Sequence, residues 1–291
     1  DIVVATENNH VWLIYDDGSI APDFPFNSED KFRTAPSIVK FDDFNIILAG
    51  CRDNQFYAVN NEGILLWQID AGSDVTTSAG FDETGEYFRI FFGTENGRLY
   101  GVDQNGFVLP GYPIETGSAI NVTPSFSDLD GDLYPDIVTG NSDGSIFASY
   151  INGEPLEYFP INGEYEVIGS PTIFDLDEDG DLELIMGTTA GITVTDVKTS
   201  GTNENYWNMY RGNPARTGFF NSNAVFECGN PQMGDLNCDD TIDISDIIVL
   251  VNIVLEIVVP DEVQFYTGDG NGDGILDIID IIILVNLILS N

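Results

Sequence analysis

Basic residues are scarce in this 291-residue chain: nine Lys plus Arg stand against 49 Asp plus Glu, for a formal charge of −40. No Lys, Arg or His follows Arg216. Nucleic acid and anionic membrane surfaces are therefore poor partners, since both select for positive charge. Histidine is nearly absent as well. His10 is the only one, placed at the start of a predicted strand with no Ser or Cys arrangement around it. It reads as a structural or surface residue, which removes the usual base of Ser-His-Asp and Cys-His chemistry and the usual nitrogen ligand of zinc. A polysaccharide lyase would also want more Lys, Arg or His. Carboxylate-pair glycosidase chemistry is not excluded by counting, because acids abound. The best-placed acids, however, fall in the loops described below, and the chain is expected not to be an enzyme.

Long hydrophobic runs are missing too. The greasiest stretches reach about 10–13 residues, whereas a bilayer-spanning helix needs roughly 20, so no membrane span is expected. Cysteine is limited to Cys51, Cys228 and Cys238. Cys51 reads as a buried thiol packing like a small hydrophobe. Cys228 and Cys238 could close a small disulfide loop; two free thiols are the alternative. The chain opens at Asp1 in mid-strand and reads as a processed product or a piece of something longer, with no signal peptide to be read.

What is present is a globular composition, 43% hydrophobic and 12% aromatic. So many uncompensated carboxylates would destabilise a compact state by self-repulsion. Divalent cations are the natural counter-charge.

The first two-thirds repeats with a period of about 45 residues. Short apolar strands end in a small residue: DIVVAT, NIILAG, RIFFG, DIVTG and ELIMG, marked by Ala5, Gly50, Gly93, Gly140 and Gly187. A polar turn follows each, then a second strand: HVWLIY, QFYAVN, RLYGVD, SIFASY and ITVTDV. The continuous apolar strands predict burial on both faces; the alternating ones predict a position nearer a sheet edge. A repeat of this length with several short strands points to a β-propeller, in which blades that cannot bury their own faces stack around an axis. Five copies are visible, the first without its leading strand. The fifth runs into YWNMYRGNPARTGFF, rich in aromatics and Arg.

Two of the repeats carry an acidic loop just before the marked strand, DLDGDLYPD and DLDEDGDLE. Alternate residues of a tight loop can point inward, so acids at relative positions 1, 3, 5 and 9 plus one backbone carbonyl can surround a hard cation. Calcium suits such a site because it takes 6–8 oxygen ligands in flexible geometry. The expected ligands are Asp128, Asp130, Asp132 and Asp136 with the Tyr134 carbonyl, then Asp175, Asp177, Asp179 and Glu183 with the Asp181 carbonyl. On these loops and the repeat around them, residues 1–219 resemble the FG-GAP or VCBS-type propeller family, the blade type of integrin alpha heads. FDETGEYFR and FDDFN lack the full acid set, and no metal is assigned to them.

After a linker at 220–232, residues 233–291 contain GDLNCDDTIDISDIIVLVNIVLE and, 34 residues later, GDGNGDGILDIIDIIILVNLILS. Asp235, Asn237, Asp239, Thr241 (carbonyl), Asp243 and Asp246 occupy positions 1, 3, 5, 7, 9 and 12 of an EF-hand-type calcium loop. Asp269, Asn271, Asp273, Ile275 (carbonyl), Asp277 and Asp280 repeat the pattern. Position 6 is Gly274 in the second loop but Asp240 in the first, which predicts a weaker first site. Each loop feeds a predicted helix, about Ile244–Glu256 and Ile278–Ser290. The pair resembles a type I dockerin. That resemblance implies calcium-organised loops, two helices packed about a pseudo-twofold, and a cohesin-like protein partner.

The fold class expected is therefore mostly β: a propeller-like repeat domain followed by a small α-helical dockerin-like domain, with about four calcium ions in all. The tail helices are apolar nearly all round, more than a two-helix packing can bury. The positions that engage a cohesin in dockerins are here Ile244 and Ser245, then Ile278 and Ile279, with no basic residue following. This departure favours a hydrophobic, lasting contact, either with a cohesin-like module or by self-association. The functional expectation is a secreted, non-catalytic assembly protein at the cell surface or in an extracellular fibre. Two alternatives stand beside it. One is the appendage of a larger secreted hydrolase or protease. The other is a glycan-binding propeller stacking sugars on Tyr206, Trp207 and Tyr210. The sequon Asn121-Val122-Thr123 is a weak glycosylation signal.

Overall fold

The structure is a computed structural model that describes the chain except residues 42–43, 85–86, 205, 223–232, 237–240, 256–259, 261, 272–274 and 291. Cys228, Cys238 and most of the 220–232 linker lie outside the described residues. Two compact units are present: residues 1–64 with 68–224, and Val225–Asn291 with Leu65–Trp67.

Five small sheets follow one another along the chain up to Ser200. Strands β1 (Ile2–Ala5), β2 (His10–Ile14) and β3 (Phe26–Asn27) form the first sheet. The second contains β4 (Ser37–Lys40), β5 (Asn45–Gly50), β6 (Gln55–Asn60) and β7 (Leu65–Asp70). The third contains β8 (Gly80–Thr84), β9 (Tyr87–Gly93), β10 (Arg98–Asp103) and β11 (Ile114–Glu115). The fourth has β12 (Ser125–Ser127), β13 (Asp136–Gly140) and β14 (Ile146–Tyr150), and the fifth β15 (Thr172–Phe174), β16 (Asp181–Thr188) and β17 (Gly191–Ser200). Strands β1–β6 and β8–β17 pair antiparallel with their neighbours within each sheet, many of them across short polar turns.

Consecutive sheets pack face to face through the marked strands. Phe56 of the second sheet stacks on Phe92 of the third at 4.0 Å, and Phe91 of the third meets Phe126 of the fourth at 5.1 Å. Such ring pairs add about 0.5–1.5 kcal/mol beyond area burial. Between the fourth and fifth sheets Val138, Ile146 and Ala148 join Ile173, Leu184 and Met186 in one buried cluster. The marking glycines have a packing cause. A β-carbon on Gly50 would stand 2.5 Å from Val75, and one on Gly140 would stand 2.7 Å from Val167. Each approach is to the chain leading into the next sheet.

Strands β5 and β13 are buried on both faces apart from the first residue of β5, as expected. Strand β1 departs from that expectation, because Ile2 and Val4 face solvent. Ile192 and Val194 of β17 also face solvent.

Residues 202–222 cover the leading edges of the sheets. Asp128 and Thr202 exchange two backbone hydrogen bonds, Phe126 N–H donates to the Trp207 carbonyl, and Ile173 N–H donates to Asn208. Strand β18 (Phe219–Asn221) then pairs parallel with β4. The rings of Trp207 and Phe220 lie 4.9 and 5.6 Å from Phe81. Arg211 secures the turn by donating to the carbonyls of Pro36, Arg216 and Thr217.

In the second unit α1 (Ile244–Val254) packs on α3 (Ile278–Ser290), and a short α2 (Glu262–Gly268) lies between them in sequence. Val249, Leu250, Ile253, Leu284 and Leu236 form its core. The packing crosses over. Gly234, ahead of the first loop, lies under Leu284 and Leu287 of α3, while Gly268, ahead of the second, lies under Leu250 of α1. No helix among the described residues is long and apolar enough to cross a membrane.

Candidate metal centres

The loop from Asp128 to Asp136 is the connection between β12 and β13, whose ends Ser127 and Asp136 are paired. Its first acid organises the turn: Asp128 accepts from Gly131 N–H at 2.7 Å and from Leu133 N–H at 3.0 Å. Gly131 and Leu133 both have left-handed backbones, with φ of 81° and 71°. At Gly131 a β-carbon would meet the Ser200 carbonyl at 2.7 Å, so glycine is required there. The last acid, Asp136, accepts from Leu129 N–H. Folded this way, the loop places carboxylate oxygens of Asp128, Asp130 and Asp136 within 4.8 Å of one another. Asp132 lies outside this group and accepts from Tyr134 N–H. Tyr150 donates to Asp130.

The site is electrostatically loaded. Two ionised carboxylates at that separation repel by about 3 kcal/mol at an effective dielectric of about 20. Burial, reinforced by the neighbouring Asp130, Asp132 and Asp128, pushes the Asp136 carboxyl up to about 7, against the opposing pull of Leu129 N–H.

The loop from Asp175 to Glu183, between β15 and β16, repeats the plan. Asp175 accepts from Gly180 N–H and Glu183 from Leu176 N–H. Glu178 and Gly180 take the two left-handed positions. Here four carboxylates converge, those of Asp177, Asp179, Asp181 and Glu183. A hydrogen bond with Asp179 pushes the Asp181 carboxyl up to about 6 and holds Asp179 below its ordinary range. Two adjacent carboxylates can bond this way only through a shared proton, whose place a cation can take. Oδ1 of Asp175, Oδ1 of Asp181 and Oε1 of Glu183 are buried with no hydrogen-bond partner. Orphaned buried oxygens in an all-oxygen cluster fit a hard cation such as calcium.

The sequence assigned only the backbone carbonyl of Asp181 to this group. Its side chain obeys the same alternate-residue rule that selected Asp177 and Asp179, so the signal was present. Asp175 sits at the edge of the cluster as the turn-organising residue.

In the tail the last acid of each loop is buried and clasps the loop. Asp246 accepts from Leu236 N–H and Asp243 N–H, at 2.8 and 2.9 Å. Asp280 accepts from Asn271 N–H and Asp277 N–H, at 3.3 and 2.9 Å. Asp243 also caps α1 by accepting from Ser245 N–H, and Asp277 does so at α3 through Ile279 N–H. Asp235 is buried, Asp269 half-buried, Asn271 exposed, and Thr241 and Ile275 turn their side chains outward. Asn237, Asp239, Asp240, Asp273 and Gly274 lie outside the described residues. His10 sits on β2 against Trp12 at 5.7 Å. Trp207 is buried against Phe81 and presents no open ring for a sugar, while Tyr206 and Tyr210 are half-buried.

No family model matches the sequence, and no curated protein matches it. Among solved structures the chain is similar to BamB from Moraxella catarrhalis, at 22% identity and a TM-score of 0.50, over 68% of this chain and 55% of that one. It is also similar to BBS1N from a complex with ARL6DN, at 14% identity and a TM-score of 0.49, over 67% and 56%. A third match is the designed protein Ika8, at 18% identity and a TM-score of 0.47, over 67% and 54%. The chain spans little more than half the length of these solved chains. The likeness to BamB shows a β-propeller-like fold and nothing of activity.

Proposed function

We propose that this protein is a calcium-stabilised, non-catalytic assembly module that acts outside the cell, with an FG-GAP/VCBS-type propeller body and a dockerin-like docking tail. About four calcium ions would be held by the loops at 128–136, 175–183, 235–246 and 269–280. Their role is architectural. Each ion would neutralise a cluster of acids and fix the strand or helix that the loop feeds.

One observation carries the docking role. Ile244, Ile248 and Leu255 on the first tail repeat are exposed, and so are their counterparts 34 residues later, Ile278, Ile282 and Leu289. Two equivalent apolar stripes thus remain after the helices have packed on each other. Fully burying an Ile or Leu stabilises by about 1.5–3 kcal/mol, so a partner or a neighbouring copy covering both stripes would bind firmly without the basic residues of a dockerin–cohesin contact.

The test is calcium titration calorimetry combined with mass measurement by light scattering, in calcium and in chelator. Uptake of about four ions is expected, together with assemblies larger than one chain that chelator dissolves. In I248K/I282K the ions should still bind but the tail-dependent assembly should be lost. A chain that takes up no calcium, or whose assemblies ignore both chelator and these lysines, would overturn the reading.

A further inference from the structure

The two acidic loops of the propeller unit are joined by a single stretch of chain. Strand β17 ends at Ser200, which pairs with Asp181 of the 175–183 loop. The Ser200 carbonyl lies against Gly131 of the 128–136 loop, where a β-carbon would stand 2.7 Å from it. Asp128, the first acid of that loop, exchanges backbone hydrogen bonds of 2.9 and 3.0 Å with Thr202. The Asn203 side chain then donates at 3.0 Å to the carbonyl of Ile173, in the strand that feeds the other loop. Tyr206 donates its hydroxyl to the Leu133 carbonyl at 3.4 Å. Asn208 returns to Ile173, accepting its N–H at 2.9 Å and donating to its carbonyl at 3.3 Å.

The stretch therefore steps between the loops. Its contacts to the first loop fall on Asp128, Gly131 and Leu133, the residues whose own bonds make the turn. Without ions, like charges in each loop oppose that turn, and a loop that loosens gives up its hold on the stretch. An ion that fixes one loop orders the stretch, and a second ion then meets a loop whose seat is already in place. The ordering cost falls on the first event alone, which is positive cooperativity. The third sheet offers a contrast. Counting back from its marking glycine, Arg89 takes the place of Asp136 and Glu183, and it donates to buried Asp82 at 2.7 Å. There a guanidinium supplies the positive charge, and no ion is called for.

We propose that the stretch from Ser200 to Asn208 couples the two propeller calcium sites, so that an ion at either one raises the affinity of the other. The inference rests on the calcium reading of both loops given above. Linkage makes the effect reciprocal, and couplings of this kind commonly amount to about 5- to 150-fold in affinity.

Two amides report the sites separately and are blind to the tail: Leu129 N–H, held by Asp136, and Leu176 N–H, held by Glu183. Their signals are followed by two-dimensional amide NMR while calcium is titrated into the full chain, with the Ile90 amide of the third sheet as reference. In Glu183→Gln the calcium midpoint at Leu129 should rise about tenfold, and in Asp136→Asn the midpoint at Leu176 should rise by a comparable factor. Asp179→Asn and Asp130→Asn take their places if either variant unfolds its sheet. Gly201→Ala cuts the connection. Gly201 lies outside the left-handed region, and its β-carbon would stand 2.3 Å from the Asp128 carbonyl oxygen, so alanine pushes the stretch off the first loop and leaves every acid in place. On that background, loss of one site should no longer move the other. Tyr206→Phe, which removes only the bond to Leu133, serves as the milder cut if alanine unfolds the chain. Midpoints that ignore loss of the other site, or a shift that persists undiminished after the cut as charge felt through space, would overturn the coupling and leave the calcium reading standing. Amides that ignore calcium altogether would overturn that reading and the coupling with it.

Discussion

The carboxylate of Asp136 accepts a 2.8 Å hydrogen bond from the backbone N–H of Leu129, the residue just after the first acid of its loop. Glu183 makes the same bond to Leu176, and Asp246 makes it to Leu236 at 2.8 Å. Loops feeding a strand and a loop feeding a helix thus share one closing device. The last acid ties the second residue, and the ring so formed gathers the remaining acids. In Glu183 one oxygen serves as this clasp while the other is left without a partner.

Asp136→Asn and Glu183→Gln should each remove about one calcium ion from the titration while leaving the fold intact, since an amide oxygen can still accept the loop N–H. Binding at 100 times Kd stabilises by about 2.7 kcal/mol, so each variant should lose about 5–10 °C of calcium-dependent melting temperature. Circular dichroism melts in calcium and in chelator measure this. Equal melting of wild type and variants in saturating calcium would count against these loops as cation sites.

The chelated protein should lose stability as pH rises. The folded-state Asp136 carboxyl is pushed up to about 7, whereas an unfolded Asp titrates near about 3.9. Its contribution is therefore fully present below the unfolded value and is lost as pH rises through about 7. Asp181, pushed up to about 6, acts in the same direction. Melting in chelator should fall between about pH 4 and 7, and Asp136→Asn should flatten that slope. An unchanged slope in the variant would sink the assignment.

Gly140→Ala should destabilise the first unit. Its β-carbon would stand 2.7 Å from Val167 Cγ1 and 2.8 Å from Val167 Cβ. Val167 is stiff at its own β-carbon and completely buried, so the strands must shift. Overpacking of this kind costs about 1–3 kcal/mol, more than the entropy gained by replacing glycine. Gly180→Ala is the control: no atom lies within 4 Å of its added carbon, although its φ of 93° carries a local strain of its own. Denaturant melts read both variants.

Cys51 should resist alkylation at any pH the fold survives. Burial pushes its thiol up to about 11, and the sulfur donates to the Asp30 carbonyl at 3.1 Å. Peptide-level mass spectrometry after iodoacetamide treatment at pH 8 should find Cys51 unmodified in the native protein and modified in denaturant. Modification of the native thiol at an ordinary rate would show that the second sheet opens readily.

Much of the architecture is legible in the amino-acid order because it is local. Ala5, Gly50, Gly93, Gly140 and Gly187 mark a real repeat: the first four each end a strand, and Gly187 is the last residue but one of β16. The acids of DLDGDLYPD and DLDEDGDLE converge because alternate residues of a short loop share one side. The tail helices begin where Asp243 and Asp277 cap them. The short α2 was not foreseen, because EVQFYTG has no strong period.

Only the tertiary structure decided what covers each face. Alternation along a strand assigns residues to two sides but cannot say whether another sheet lies against either of them. Ile137, in the inner fourth sheet, is buried, and Ile2, its counterpart in the first, is open to water. Nor does the run YWNMYRGNPARTGFF disclose that it crosses the leading strands and buries Trp207, because its hydrogen-bond partners lie up to 175 positions away in the chain. Local pattern determined the elements and the acidic loops; the non-local contacts alone determined which apolar surfaces remain for another molecule.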